Sequence, residues 1–317
     1  MYYLGIDLGG TNIAAGVVDE NYKIIGEAKV KTACPRPVED IADSIYEAGM
    51  LAIKKSGLTI DDIKEIGLGS PGSVNSDKGI IYFAANLGFN NVHMGELLEQ
   101  RFNRKVFLEN DANAAAYGEQ LAGAGKGAKQ FIAITLGTGV GGGVIINDHI
   151  LSGSNYAGGE LGHMVIVKDG ELCTCGRNGC WEAYASASAL IRQTKAAMES
   201  DRSSKMWDIA GSIDNVTGKT AFDGLRANDT TAIAVVHKYC EMVACGISNI
   251  INIFQPDIIC IGGGISKEGE TLVKPIREYI YREKFSKNIE KQTEIKPAVL
   301  GNDAGIIGAA FLGRLHK

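Results

Sequence analysis

The segment 132–146 repeats the segment 4–18 at an offset of 128 residues (132 against 4). Ile6-Asp7-Leu8-Gly9 falls on Ile134-Thr135-Leu136-Gly137, and Val17-Val18 falls on Ile145-Ile146. Each copy reads as strand, Gly-rich turn, strand. A pattern that recurs once in each half of a chain points to a duplicated fold with a cleft between its halves. The 317 residues are enough for two domains with a core each.

The rest of the chain fits an α/β reading. Strands are expected over 3–8, 13–18 and 23–31, then a helix with apolar residues at Ile41, Ile45, Ala48, Leu51 and Ala52, ending near Gly57. A short strand, 66–68, opens onto Ser70-Pro71-Gly72. Residues 94–102 read as a helix, 106–108 as a strand, and 111–121 as an Ala-rich helix. The stretch 123–127 has the composition of a joint between domains. A second meander starts at Phe131; helices are expected over 182–199, 230–254, 267–283 and 305–315, with a strand at 258–261. Met1 leads straight into a strand, without a basic and then apolar leader, and no apolar run reaches the length of a membrane span. The expectation is a cytoplasmic protein. A net charge of -5 with mixed signs carries no nucleic-acid footprint.

Asp7-Leu8-Gly9-Gly10-Thr11-Asn12 sits at a strand end. Its glycines let backbone N–H groups approach an anion, and Asp7 suits a water on Mg²⁺. The same residues also make a plain hairpin turn. The run from Leu136 through Gly137, Thr138 and Gly139 to Gly143 is the partner loop. It has no Gly-Lys-Ser/Thr of a Walker A sequence, and a strand rather than a helix follows it, which disfavours a dinucleotide fingerprint. Gly262-Gly263-Gly264, between a strand and a helix, is a third place for close backbone approach, or simply for packing. Strand 106–108 delivers Glu109-Asn110-Asp111 to a helix start. A kinase acting on a hydroxyl needs a carboxylate there, and Asp111 is placed for it; an N-cap is its other reading. Asn86 and Asn110 suit sugar hydroxyls, or turns.

Cys173, Cys175 and Cys180 crowd into eight residues, preceded by His163; Cys34, Cys240, Cys245 and Cys260 stand singly. Three thiolates and one imidazole complete a tetrahedral zinc site with no open position, hence a structural one.

These motifs together resemble the ROK family of sugar kinases and related repressors. The resemblance rests on Asp7-Leu8-Gly9-Gly10-Thr11, Pro71-Gly72, Asn86-Leu87, Asn110-Asp111, Leu136-Gly137-Thr138-Gly139 and Gly159-Glu160-Leu161-Gly162-His163. It rests above all on the Cys-x-Cys-Gly-x-x-Gly-Cys-x-Glu run ending at Glu182, and it is nearest to the family's bacterial glucokinases. It implies an actin-like, ribonuclease H-like sugar kinase fold: a small domain 1–121 with the C-terminal helix 303–317 packed back on it, and a large domain 122–302 with the zinc loop. It implies ATP-dependent phosphorylation of a hexose at the 6-hydroxyl, with glucose first and other hexoses or N-acetylhexosamines as alternatives. Asp111 would be the general base, and Gly72, Asn86, Asn110, Glu160, His163 and Glu182 would line the sugar pocket. Asp7, Gly9, Gly10, Thr11, Asn12, Gly137, Thr138, Gly139 and Gly262–Gly264 would meet MgATP. The expected assembly is a homodimer or homotetramer, with neither nucleic acid nor membrane as partner. A repressor relative would carry an N-terminal helix-turn-helix, and here the phosphate strand already starts at Tyr3. Three positions depart from the family pattern: Asn147-Asp148-His149, Phe89 and Ser70. They bear on pocket shape, which decides between glucose, its epimers and N-acetyl derivatives.

Overall fold

The structure is a computed structural model that describes residues 1–316. Lys317, the last residue of the expected 303–317 segment, lies outside the described residues. Two compact units divide the chain. The first comprises Met1–Ala133, Gly143–Gly159 and the stretch from Val299 onward; the second comprises Ile134–Gly142 and Glu160–Ala298. The 123–127 stretch lies inside the first unit.

The first unit opens with the antiparallel strands β1 (Tyr2–Leu8), β2 (Asn12–Asp19) and β3 (Ile24–Lys31). Helix α1 (Val38–Lys55) crosses them. Then come β4 (Ile63–Ser70), a small sheet of β5 (Ser73–Asn75), β6 (Ile80–Ala84) and β7 (Phe89–Val92), helix α2 (Met94–Phe102), β8 (Val106–Asn110) and α3 (Asp111–Ala122). The main sheet has the order β3-β2-β1-β4-β8, with β4 parallel to both β1 and β8. Leu4, Ile6 and Leu8 on β1 meet Ile41, Ile45 and Ala48 of α1 in one buried cluster. The strands of the small sheet, three to five residues long, give little periodicity to read.

Strands β9 (Gln130–Leu136), β10 (Val140–Ile146) and β11 (His149–Ile150) form the second meander. Of this meander only Ile134–Gly142 belongs to the second unit, which also holds α4 (Glu182–Ala185), α5 (Ala187–Ser200), α6 (Met206–Ala210), α7 (Thr220–Arg226), α8 (Thr230–Phe254), β12 (Ile258–Gly262), α9 (Glu270–Glu283) and β13 (Glu294–Pro297). The sheet order β11-β10-β9-β12-β13 matches that of the first sheet position for position. The repeat visible in the sequence is therefore a repeat of topology.

Three expected helices are interrupted. The 182–199 run breaks at Ser186, whose backbone is extended and whose hydroxyl accepts the Ala189 N–H at 3.1 Å, capping α5. The 267–283 run breaks at Gly269, whose φ of +58° parts a 3₁₀ turn, Ile265–Glu268, from α9. The last run is α10 (Asp303–Ala310) followed by a 3₁₀ turn, Leu312–His316. Helix α10 packs on α3 and β1 in the first unit. A Cβ on Gly308 would stand 1.7 Å from the Ala114 carbonyl oxygen, and one on Gly118 would stand 2.1 Å from that of Ala304, so the two helices touch backbone to backbone.

Candidate active site

Asp7, Gly69 and Glu109 stand in register across the parallel strands β1, β4 and β8, near their carboxyl ends. Ligands of α/β sheets bind at such ends. Asp111 follows at the first residue of α3. Burial pushes the Asp111 carboxyl up, against the N–H of Ala112, which it accepts at 2.8 Å. Burial, and next the charge of Asp111, raises Asp7 to about 6. Two crowded carboxylates of this kind suit a hydrated divalent cation, which favours oxygen donors and relieves their repulsion.

The helix cap is Asn110, not Asp111. The Asn110 side-chain oxygen accepts from Ala112 N at 2.9 Å and Asn113 N at 3.1 Å. Its amide donates to the Gly72 carbonyl at 3.0 Å. With Asn110 filling the cap, Asp111 is left available for chemistry. Gly72 has a φ of +92°, and a Cβ there would stand 1.9 Å from the Phe83 carbonyl oxygen, so no other residue fits this turn. Asn86, exposed in a 3₁₀ turn, reaches within 3.3 Å of where a Gly10 Cβ would be. The first unit thus brings Asn86 to the Gly9–Asn12 turn, and Gly72 and Asn110 to Asp111. That turn is held by Gly9 N donating to Asn12 O at 2.9 Å and by the Thr32 hydroxyl donating to Gly9 O at 2.6 Å.

In the second unit, the Gly137-Thr138-Gly139 turn docks on the start of α5. Ala187 N donates to Gly137 O at 2.8 Å, and the Ser188 hydroxyl donates to Thr138 O at 2.8 Å. A Cβ on Gly263 would stand 2.4 Å from the Leu136 carbonyl oxygen, which brings the Gly262–Gly264 turn beside this loop. Glu182 binds the residue that follows this turn. One carboxylate oxygen accepts Val140 N at 3.0 Å; the other accepts the Thr174 hydroxyl at 2.8 Å. A Cβ on Gly139 would stand 2.3 Å from the Glu182 oxygen.

His163, Cys173, Cys175 and Cys180 place one donor atom each within 4.8 Å of all the others. Cys175 and Cys180 sulfurs are 3.7 Å apart, too far for a disulfide. Cys173 Sγ is 3.6 Å from His163 Nδ1. In a tetrahedron with zinc–sulfur bonds of about 2.3 Å and zinc–nitrogen bonds of about 2.0–2.1 Å, those edges are about 3.8 and 3.6 Å. The donor set therefore fits zinc, with Nδ1 as the imidazole donor and Nε2 left for another partner. Buried Trp181 anchors the loop, donating from its indole to Met242 O on α8 at 2.9 Å. Glu160, exposed, begins the 3₁₀ turn that carries His163.

Sequence reasoning passed over Glu109 and Thr32. Glu109 had a signal: a carboxylate inside the apolar strand Val106–Asn110. Thr32, which fixes the first glycine turn, had none.

The ROK family profile matches residues 3–315. The glucokinase of Thermotoga maritima is 38% identical over 310 residues, covering 98% of this chain and 96% of that protein. The crystal structure of a ROK family glucokinase from Streptomyces griseus, in complex with glucose and AMPPNP, is 36% identical with a TM-score of 0.81, covering 99% of each chain. The xylose repressor of Bacillus spizizenii is 28% identical over 313 residues, covering 98% of this chain and 76% of that protein. The fold expected from the motifs is the one found: a doubled α/β fold shared with ROK sugar kinases. With the profile spanning nearly every residue and relatives this similar over nearly all of both chains, the protein belongs to the ROK family.

Proposed function

We propose that the protein is an ATP-dependent hexose kinase that phosphorylates glucose at its 6-hydroxyl. The observation that carries this reading is the β8–α3 turn, where Asn110 takes the cap and leaves Asp111 as a half-buried carboxylate of raised pKa. Its support from relatives is the 38% identity to a glucokinase, against 28% to a repressor. Asp111 accepts the proton of the 6-hydroxyl as that oxygen attacks the γ-phosphorus, and ADP leaves. Gly72, Asn86, Asn110, Glu160, His163 and Glu182 orient the sugar, with His163 using Nε2. The turns at Gly9–Asn12, 137–139 and Gly262–Gly264 offer backbone N–H groups to the nucleotide phosphates. Asp7 would hold the Mg²⁺ that accompanies ATP, and the metal would supply neutralisation of phosphate charge. His163, Cys173, Cys175 and Cys180 would hold zinc, which would be structural because four protein ligands leave no open position. Among the described residues no helix is long and apolar enough to cross a membrane; a cytoplasmic homodimer or homotetramer completes the proposal.

The test is ADP release from MgATP over glucose, mannose, fructose, allose, N-acetylglucosamine and N-acetylmannosamine. Turnover highest on glucose supports the reading. Turnover mainly on an N-acetylated sugar moves the substrate, and none on any sugar from zinc-replete protein overturns the kinase.

A further inference from the structure

Glu109 is 4% exposed, an uncommon place for a carboxylate. Its bonds go to the turn that holds Asp111 and to the loop that runs toward Glu160. Oε1 accepts from Asn110 N at 2.8 Å and from the Asn113 side-chain amide at 3.0 Å. Oε2 accepts from the Ser152 hydroxyl at 3.4 Å. Asn113 is itself buried, in the first turn of α3. One carboxylate oxygen therefore ties the backbone of the capping residue to the first turn of the helix it caps. The cap's own side chain is fixed meanwhile by Ala112, Asn113 and Gly72. The whole handover from β8 to α3 is thus pinned on both sides of Asp111.

Packing alone does not call for this arrangement. Buried ionic groups can be exchanged for apolar ones of like volume with little loss, or a gain, of stability. A carboxylate at this point supplies something a Leu or Met lacks: two acceptor oxygens aimed in different directions at fixed reach.

We propose that Glu109 is a positioning residue for phosphoryl transfer, which touches no substrate and acts by fixing Asn110 and Asp111 on the β8–α3 turn. The inference rests on Asp111 being the base. What the role requires is reach, not charge. Glu109→Gln keeps the length and an acceptor oxygen for Asn110 and Asn113, and its amide can donate to the Ser152 hydroxyl, which accepts as readily as it donates. Glu109→Asp keeps the charge and withdraws the carboxylate by one methylene.

The test is kcat, KM for glucose and KM for ATP for wild type, E109Q, E109D and D111N, with thermal melts of each. A misplacement of about 1 Å in a catalytic constellation can cost about a hundredfold, so E109D is expected to lose at least about tenfold in kcat and to raise the glucose KM. Its KM for ATP stays within about twofold, because the nucleotide contacts lie on other turns. E109Q is expected to stay within about fivefold of wild type in both parameters. A merely structural role lowers the melting temperature and the active fraction but leaves the glucose KM unchanged, and that result in E109D overturns the proposal. So does an E109Q as impaired as E109D. D111N separates the two layers: retained turnover there brings down the base assignment itself, whatever the Glu109 variants do.

Discussion

The Glu182 carboxylate accepts the backbone N–H of Val140 at 3.0 Å. Its second oxygen takes the Thr174 hydroxyl at 2.8 Å, beside the Cys173 sulfur at 3.6 Å. One side chain thereby joins the glycine turn 137–139 to the cysteine loop. Truncating it leaves a part-buried N–H without its acceptor and frees the turn. Glu182→Ala should lower kcat/KM by about a hundredfold and raise the KM for ATP as well as for sugar. Steady-state kinetics against both substrates checks this. A change confined to the sugar KM would leave Glu182 a sugar contact only and remove its role in ordering the 137–139 turn for a nucleotide.

Asp111 is expected to govern both the rate and its pH dependence. Asp111→Asn should retain hexose and nucleotide binding by calorimetry yet lose turnover by about three powers of ten or more. Burial holds the wild-type carboxyl above its ordinary value of 3.8. A base works only when deprotonated. Turnover should therefore fall as pH drops through that raised pKa, at a higher pH than an ordinary aspartate gives. A variant within tenfold of wild type would end the assignment.

Asp7 makes a prediction about stability. Its folded pKa is raised from 3.8 to about 6, by burial first and the Asp111 charge second. The folded state then binds more protons than the unfolded state between those values. The group's stabilising contribution is full below pH 3.8 and is lost as pH rises through about 6. Asp7→Asn, free of that charge, should melt close to wild type near pH 4 and above it at pH 7.5. Melts in magnesium-free buffer at the two pH values test it; the reverse order of the two gaps would contradict the cause. The same variant should turn over poorly if Asp7 holds the metal.

How much of this could be read in the chain varies with the physics of each part. The two hairpins were legible because glycine turns and strand alternation are local, and the repeat doubled the signal. Helix 230–254 was legible because twenty-five residues show their period clearly. The β5–β7 sheet was not, since its strands are too short to display alternation. The break at Ser186 hid inside a helix-like run, because a serine reads equally as helix surface or as cap. At the site, residue types announced Asn110 and Asp111 but not which of them caps α3. That was settled by the Gly72 carbonyl, brought to the Asn110 amide from thirty-eight residues away. Glu109 stood out as a carboxylate in a mostly apolar strand, but its role did not, because its partners Asn113 and Ser152 become neighbours only on folding.

The cysteine cluster was the reverse case, legible by density alone, and its geometry sharpens the prediction. Cys173 and Cys180 are buried while Cys175 is exposed, so replacing Cys175 perturbs packing least. Cys175→Ser removes one of four donors and leaves the core around Trp181 in place. Metal analysis should show zinc near one per chain in wild type and well below it in the variant. A chelator should lower the melting temperature of wild type and move the variant little, since only the folded, loaded loop has stabilisation from the metal to lose. Cys245→Ser, outside the cluster, is the matched control and should keep both zinc and the chelator response. Turnover in C175S should fall along with zinc content, because His163 and Glu182 are both held by this loop. Full zinc occupancy in C175S would show that the sulfur at 175 is not a ligand, and the 3.7 Å spacing to Cys180 would then reflect packing alone.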